Sequence, residues 1–148
     1  VDLSDAVVDT ALRFEPVAFE AGRQLSYDID EGITVTGSRD QLQQVAGVLL
    51  DNAIKYASQG AGVYMTLTQA ERKAVLTVEN GGPPIPPEVL PHLFDRFYRA
   101  DGSRTQGGFG LGLSIAQAIV REHKGTIRCE SDRRSTRFIV TLPAGGKK

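Results

Sequence analysis

Gly107-Gly108-Phe109-Gly110-Leu111-Gly112-Leu113 places four glycines in six positions directly before a helix-like run. Each glycine costs about 1 kcal/mol relative to alanine inside a helix, so helix stability does not explain the pattern. It suits a backbone that must approach a ligand closely. A helix N-terminus, with free N–H groups and a positive dipole end, suits an anion such as a polyphosphate. A flexible loop that opens a helix has the same composition, and the glycines alone do not separate the two readings. Asn52 interrupts an apolar stripe between Leu49 and Tyr56, where a buried amide needs a partner from protein or ligand. Its oxygen can ligate a hard cation such as Mg²⁺, and Lys55, on an edge of the same face, can neutralise phosphate. An amide bonded to nearby backbone and a snorkelling lysine read the same way. Asn80 continues the parity of Ala74, Leu76 and Val78, so it leaves its strand toward the core side. Gly81 and Gly82 follow, and they permit either close approach of a ligand or a plain turn. Phe94-Asp95-Arg96-Phe97-Tyr98-Arg99 sets two arginines, suited to an anion, between aromatic anchors.

The chain that must position these groups has 148 residues, 41% hydrophobic and 24% charged, which fits one globular domain. Its net charge of -1, with signs mixed along the chain, gives no electrostatic footprint for nucleic acid or an anionic membrane. No apolar run approaches the roughly 18 residues of a membrane span, and no secretory signal is visible. Cys129 is the single cysteine, so an internal disulfide is excluded, which fits a reducing compartment. It sits in an alternating run that reads as a buried structural thiol. The opening Val1-Asp2-Leu3 lacks a methionine, and the expectation is a segment of a longer protein.

Ser4 reads as the N-cap of a first helix that Pro16 should end or kink. Gln24 to Ile29 and Thr34 to Thr36 read as strands. Arg39 to Tyr56 is the clearest helix, by its 3.6-residue apolar spacing. Val63 to Thr68 and Ala74 to Glu79 read as two antiparallel strands. Gly81 to Pro91 holds five of the seven prolines and reads as mostly irregular. Asp95 to Gly110 is polar and basic and reads as a mobile loop. Leu111 to Glu122 reads as a helix ended by Lys124-Gly125. Thr126 to Glu130 and Arg137 to Leu142 read as a final hairpin, with residues 144–148 a flexible tail. The expected fold class is α/β (α+β): a two-layer sandwich, with a mixed, mostly antiparallel sheet of about five strands and about three main helices on one face. The expected domain spans residues 1–143.

Taken together and in this order, the segments resemble the catalytic, ATP-binding domain of sensor histidine kinases, the Bergerat fold shared with type II topoisomerases, the mismatch-repair ATPase and a heat-shock chaperone. Leu49 to Tyr56 resembles the N box, Asn80 to Ile85 the G1 box, Phe94 to Arg99 the F box and Gly108 to Leu113 the G2 box. Thr136-Arg137-Phe138 matches the Thr-x-Phe of the final strand.

The resemblance implies that ATP and Mg²⁺ bind between the helices under a lid. It implies Asn52 as the Mg²⁺ ligand, Lys55 facing phosphate and Tyr56 bordering the nucleotide. Asn80 would read the adenine amino group, with Gly82 beside it and Ile85 on the ring. Arg96 and Arg99 would meet the terminal phosphate. Phe97 and Tyr98 would border the nucleotide, and Phe94 and Phe97 would anchor the lid. Gly108, Gly110, Leu111, Gly112 and Leu113 would cradle the phosphates, and Thr136 would help bind adenine through water. The chain departs from the family pattern at Asn80 (usually aspartate), Pro84 (usually glycine) and Val48 (usually asparagine).

The implied enzyme is the catalytic domain of a protein histidine kinase in a two-component phosphorelay. ATP would phosphorylate a histidine on a separate dimerisation domain, and the phosphate would then pass to a response regulator. The chain lacks a His followed by an acidic residue on a helix: His92 is in a Pro-rich turn and His123 at a helix C-terminus, where a cation suits the dipole, and both read as structural. The isolated domain is expected to be monomeric, the parent a homodimer, and the domain to lie on the cytoplasmic side of an inner-membrane sensor. Two alternatives are an anti-sigma-factor-type serine kinase and a degenerate nucleotide-binding interaction module.

Overall fold

The computed structural model describes residues 1–58, 60–95 and 111–144. Within them the chain runs α1 (Leu3–Glu20), β1 (Gln24–Ile29), α2 (Arg39–Tyr56), β2 (Gly62–Ala70) and β3 (Lys73–Asn80). A single 3-10 turn (Leu90–His92), α3 (Leu111–Glu122), β4 (Thr126–Ser131) and β5 (Thr136–Pro143) follow. The sheet has the order β1-β2-β3-β5-β4, with β1 parallel to β2 and every other pair antiparallel. One sheet face carries Val63, Met65, Leu67, Leu76, Val78, Phe138 and Val140, all buried, and the helices cover it. The opposite face shows Tyr64 and Glu79 to solvent. The two-layer α/β sandwich expected from the sequence is therefore present.

Two helices begin where their caps allow. Ser38 Oγ accepts the Gln41 N–H at 3.2 Å and starts α2. For α1 the cap is Asp2, whose carboxylate accepts the Asp5 N–H at 2.9 Å, and not Ser4. Ser4 lies buried inside the helix, and its hydroxyl donates to the Asp30 carbonyl at 2.5 Å. Pro16 does not end α1, which runs on to Glu20. Proline frees the carbonyl four residues back, here that of Leu12. Both residues are exposed, where a freed carbonyl is open to solvent and the break is tolerated. The strand expected over residues 34–36 is only a bridge between Asp2 and Thr34. Val35 exchanges backbone hydrogen bonds with Val1, so this segment pairs with the chain start and never joins the sheet. At the far end Ala144 donates to the Arg72 carbonyl at 2.7 Å.

His123 ties the end of α3 to the start of α2. Its Nδ1 lies 2.8 Å from the Ile119 carbonyl, and its Nε2 lies 3.1 Å from the Ser38 backbone nitrogen. A carbonyl only accepts and an N–H only donates, so the ring is neutral with its proton on Nδ1. The geometry makes it a bridge, not the helix-end cation that its position in sequence suggests. Gly37 makes room for it: a Cβ there, at φ +158, would lie 2.1 Å from the ring. Gly37→Ala should therefore cost about 1–3 kcal/mol, the usual penalty of overpacking. Denaturant unfolding measures this, and an unchanged midpoint would mean the ring moves aside freely.

Candidate functional site

The C-terminal half of α2 turns Leu49, Leu50 and Ala53 into the core. Asn52 shares that burial at 7% exposure, yet its amide bonds to no described residue. Neither amide atom is sealed away from the surface. It opens on a cavity of about 200 Å³ that Tyr56, Asn80, Ile85, Thr136 and Phe138 also line. A larger groove of about 520 Å³ lies between α1 and α2 around Arg13, Phe14, Gly47 and Val48. The smaller cavity is the better site, because two buried amides converge on it and the groove has none.

The strand end that carries Asn80 is fixed from both sides. Asn80 pairs with Thr136 of β5 and Val63 of β2, and its side chain is 5% exposed. The chain then crosses the C-terminus of α2, where the Ser58 N–H donates to the Gly81 carbonyl at 3.0 Å. At Gly82, with φ +149, a Cβ would lie 2.9 Å from the Tyr56 carbonyl, so only glycine fits this crossing. Asn80 Nδ2 donates to the Gly81 carbonyl at 3.1 Å, which leaves Oδ1 for the cavity.

The opposite wall depends on a residue that the sequence did not single out. Ser131 Oγ accepts the Ile85 N–H at 2.8 Å and lies 2.7 Å from Thr136 Oγ1. It thereby fixes both the aliphatic floor and the hydroxyl beside it. Ser131 faces Thr136 in register at the end of β4, so the strand pairing was the only available signal. Phe94 packs edge-on against Phe138, with ring centroids 6.2 Å apart at 88°. This joins the F-box segment to the cavity wall.

The remaining expected residues are distributed less tightly. Lys55 is exposed on α2 and pairs with Asp51 at 3.1 Å, outside the cavity lining. Leu113 is 1% exposed and anchors the first turn of α3 in the core, so its side chain does not reach the cavity. Gly112 sits in the same turn, with Val48 Cγ1 3.5 Å from where its Cβ would be. The backbone of Leu111 opens α3. Arg96, Phe97, Tyr98, Arg99, Gly108 and Gly110 lie outside the described residues.

Behind the cavity, on the open sheet face, Arg137 faces Glu79, Glu130 and Asp132 at 3.2–3.6 Å. The backbone N–H groups of Arg134 and Ser135, then the Arg137 guanidinium, hold the Asp132 carboxyl below the ordinary carboxylate range. A lowered folded value means that stability from this group is present above the usual carboxylate range. It is lost as pH falls through the lowered value. Asp132→Asn should therefore flatten the acid limb of the stability–pH profile, and unfolding midpoints between pH 2 and 5, roughly the carboxylate range, test it. Cys129 on the neighbouring strand is pushed up to about 12, mainly by burial. Its thiol stays protonated at neutral pH and offers no nucleophile.

Residues 37–146 match the family described as histidine kinase-, DNA gyrase B- and HSP90-like ATPases. The sensor protein DltS of Streptococcus agalactiae is 37% identical over 147 residues, covering 99% of this chain and 37% of that protein. The sensor histidine kinase CusS of Escherichia coli is 40% identical over 146 residues, covering 97% of this chain and 30% of that protein. The chain thus spans about a third of the length of these relatives. Among solved structures, the mycobacterial sensor histidine kinase MprB superimposes with a TM-score of 0.86 at 26% identity and 99% coverage of both chains. The catalytic domain of histidine kinase ThkA, nucleotide-free, gives 0.85 at 27% identity, covering 97% of this chain and 93% of that one. The family match spans the cavity residues, and the relatives share the whole fold: this chain belongs to the histidine kinase-, DNA gyrase B- and HSP90-like ATPases, as an ATP-binding catalytic domain of the sensor histidine kinase type.

Proposed function

We propose that this chain binds Mg-ATP in the cavity between α2 and the β3 and β5 strands and donates the γ-phosphate to a histidine on a separate domain. The observation that carries the reading is the buried amide of Asn52, which bonds to no described residue and faces the same cavity as Asn80 and Thr136. An amide oxygen is a suitable hard-cation ligand, so the residues present fit Mg²⁺. The cation supplies charge neutralisation on the phosphates. Asn52 holds it, and Asn80 Oδ1 and the Thr136 hydroxyl orient the base against Ile85. The N–H groups of the first turn of α3, around Gly112, suit phosphate oxygens. Arg96 and Arg99 are assigned to the terminal phosphate, Phe97 and Tyr98 to the nucleotide edge, and Gly108 and Gly110 to the phosphates. Lys55 reaches phosphate if it leaves Asp51, an exposed pair of small energetic weight.

Phosphoryl transfer requires positioning and charge neutralisation more than covalent protein chemistry. The bond from the γ-phosphorus to the β–γ bridging oxygen breaks, a bond to an imidazole nitrogen forms, and ADP leaves. The accepting histidine belongs to the parent protein's dimerisation domain. His92 bonds to Asp95 at 2.9 Å and His123 is the bridge described above, so neither serves. A response regulator receives the phosphate downstream. No described helix is long and apolar enough to cross a membrane. We assign the domain to the cytoplasmic side of an inner-membrane sensor, monomeric alone and homodimeric in its parent. Calorimetric titration with ATP, with and without Mg²⁺, tests the site. Magnesium-dependent binding is expected, and its absence up to millimolar ATP overturns the reading.

A further inference from the structure

Asn80 stands where the resembled G1 box usually has aspartate, and the surroundings of its amide are not neutral toward the exchange. The Gly81 carbonyl accepts from Ser58 N–H at 3.0 Å and from Asn80 Nδ2 at 3.1 Å, so both of its lone pairs are engaged. A carbonyl accepts only, which fixes the amide: nitrogen to Gly81, oxygen to the cavity. Turning the amide over would set oxygen against oxygen and leave the nitrogen facing the base. The carbonyl cannot swing away without breaking the bond that holds Gly81 to the end of α2.

No charged side chain lines the cavity among the described residues. Tyr56 is its one titratable group, and the other lining residues are amides, Thr136, Ile85, Phe138 and three prolines. Glu79, the adjacent carboxylate, has the opposite parity and is held by Ser135 and Arg137 on the outer face. A carboxylate at position 80 would therefore be 5% exposed, with no cationic side chain beside it among the described residues, and pointed at an engaged carbonyl.

Resting on the assignment of this cavity to the nucleotide base, we propose that the pocket is built for a neutral amide locked by the Gly81 carbonyl, which reads a 6-aminopurine with an uncharged acceptor and works against the family's aspartate. Two consequences follow from the lock. First, a 6-oxopurine presents its own acceptor to Asn80 Oδ1 and is rejected. Second, Asn80→Asp recovers the original pattern only when its carboxyl is protonated, because only then can one oxygen donate to Gly81 while the other accepts from the base.

The test is calorimetric titration of this chain with Mg-ATP and with Mg-inosine triphosphate, for the unmodified protein and Asn80→Asp, from pH 6 to 9. An unmade buried hydrogen bond sets the scale at about 5- to 150-fold. The unmodified protein should prefer ATP to inosine triphosphate within that range. The ratio of its ATP affinity to that of Asn80→Asp should rise with pH, with Asn80→Asp the weaker binder at pH 9. Equal binding of the two nucleotides by the unmodified protein means the amide turns over, and it overturns the proposal without any variant. Asn80→Asp binding ATP at pH 9 as tightly as the unmodified protein also overturns it. Failure of the unmodified protein to bind ATP at all instead removes the assignment of the cavity.

Discussion

Asn52→Ala should lower the affinity for Mg-ATP by about 10- to 150-fold, the scale of losing a hydrogen bond or ligand contact to a charged group, while the fold gains stability or stays unchanged. The two effects have opposite signs for one reason. The Asn52 amide has no described partner within the protein, so its removal breaks no described hydrogen bond of the free state. Alanine is also the better helix former by a few tenths of a kcal/mol, and α2 continues without interruption through this position. Everything the amide does is reserved for what enters the cavity. Titration and thermal unfolding on the same variant read both quantities. A drop in melting temperature with unchanged nucleotide affinity would make Asn52 a structural residue and remove the metal ligand from the proposed mechanism.

Phe138→Ala should cost about 3–5 kcal/mol, as for other large aromatic truncations in a packed core. For a domain of this size that is a fall in melting temperature on the order of 10–20 °C. Phe138 is 2% exposed, sits near the start of β5, packs edge-on with Phe94 and forms part of the cavity wall. Its removal joins the cavity to the core, so nucleotide affinity should fall together with stability. Phe138→Leu, which refills most of the volume, should recover much of the stability. Differential scanning calorimetry of the pair checks the ordering, and equal losses for both variants would show that the ring contact with Phe94 matters more than volume.

The elements that position the site were legible because each carries a periodic signal long enough to read. The 3.6-residue repeat of α2 and α3 returned their bounds, Arg39–Tyr56 and Leu111–Glu122, as the structure has them. The parity of Ala74, Leu76 and Val78 placed Asn80 on the core side, where it is found. The misreadings were local. Ser4 and Asp2 are both good caps, and the choice depended on Asp30 receiving the Ser4 hydroxyl, a contact across 26 residues. Residues 34–36 have strand composition, but only the pairing of Val35 with Val1 shows that they lie outside the sheet. Ser131 was invisible because its role exists only across the β4–β5 pairing and through the Ile85 N–H.

The cavity rim Pro83-Pro84-Ile85-Pro86 has one backbone N–H in four residues, that of Ile85, and Ser131 already accepts it. The three pyrrolidine rings fix their φ angles before any ligand arrives. This side of the pocket is therefore a hard mould with no spare donor. A small-molecule inhibitor gains affinity from it by shape, with little ordering entropy lost there, and gains nothing by offering it an acceptor. Scaffolds that depend on a backbone N–H donor would find none on this wall. Flat, closely fitting ring systems that leave the polar reading to Asn80 and Thr136 are the chemistry it favours.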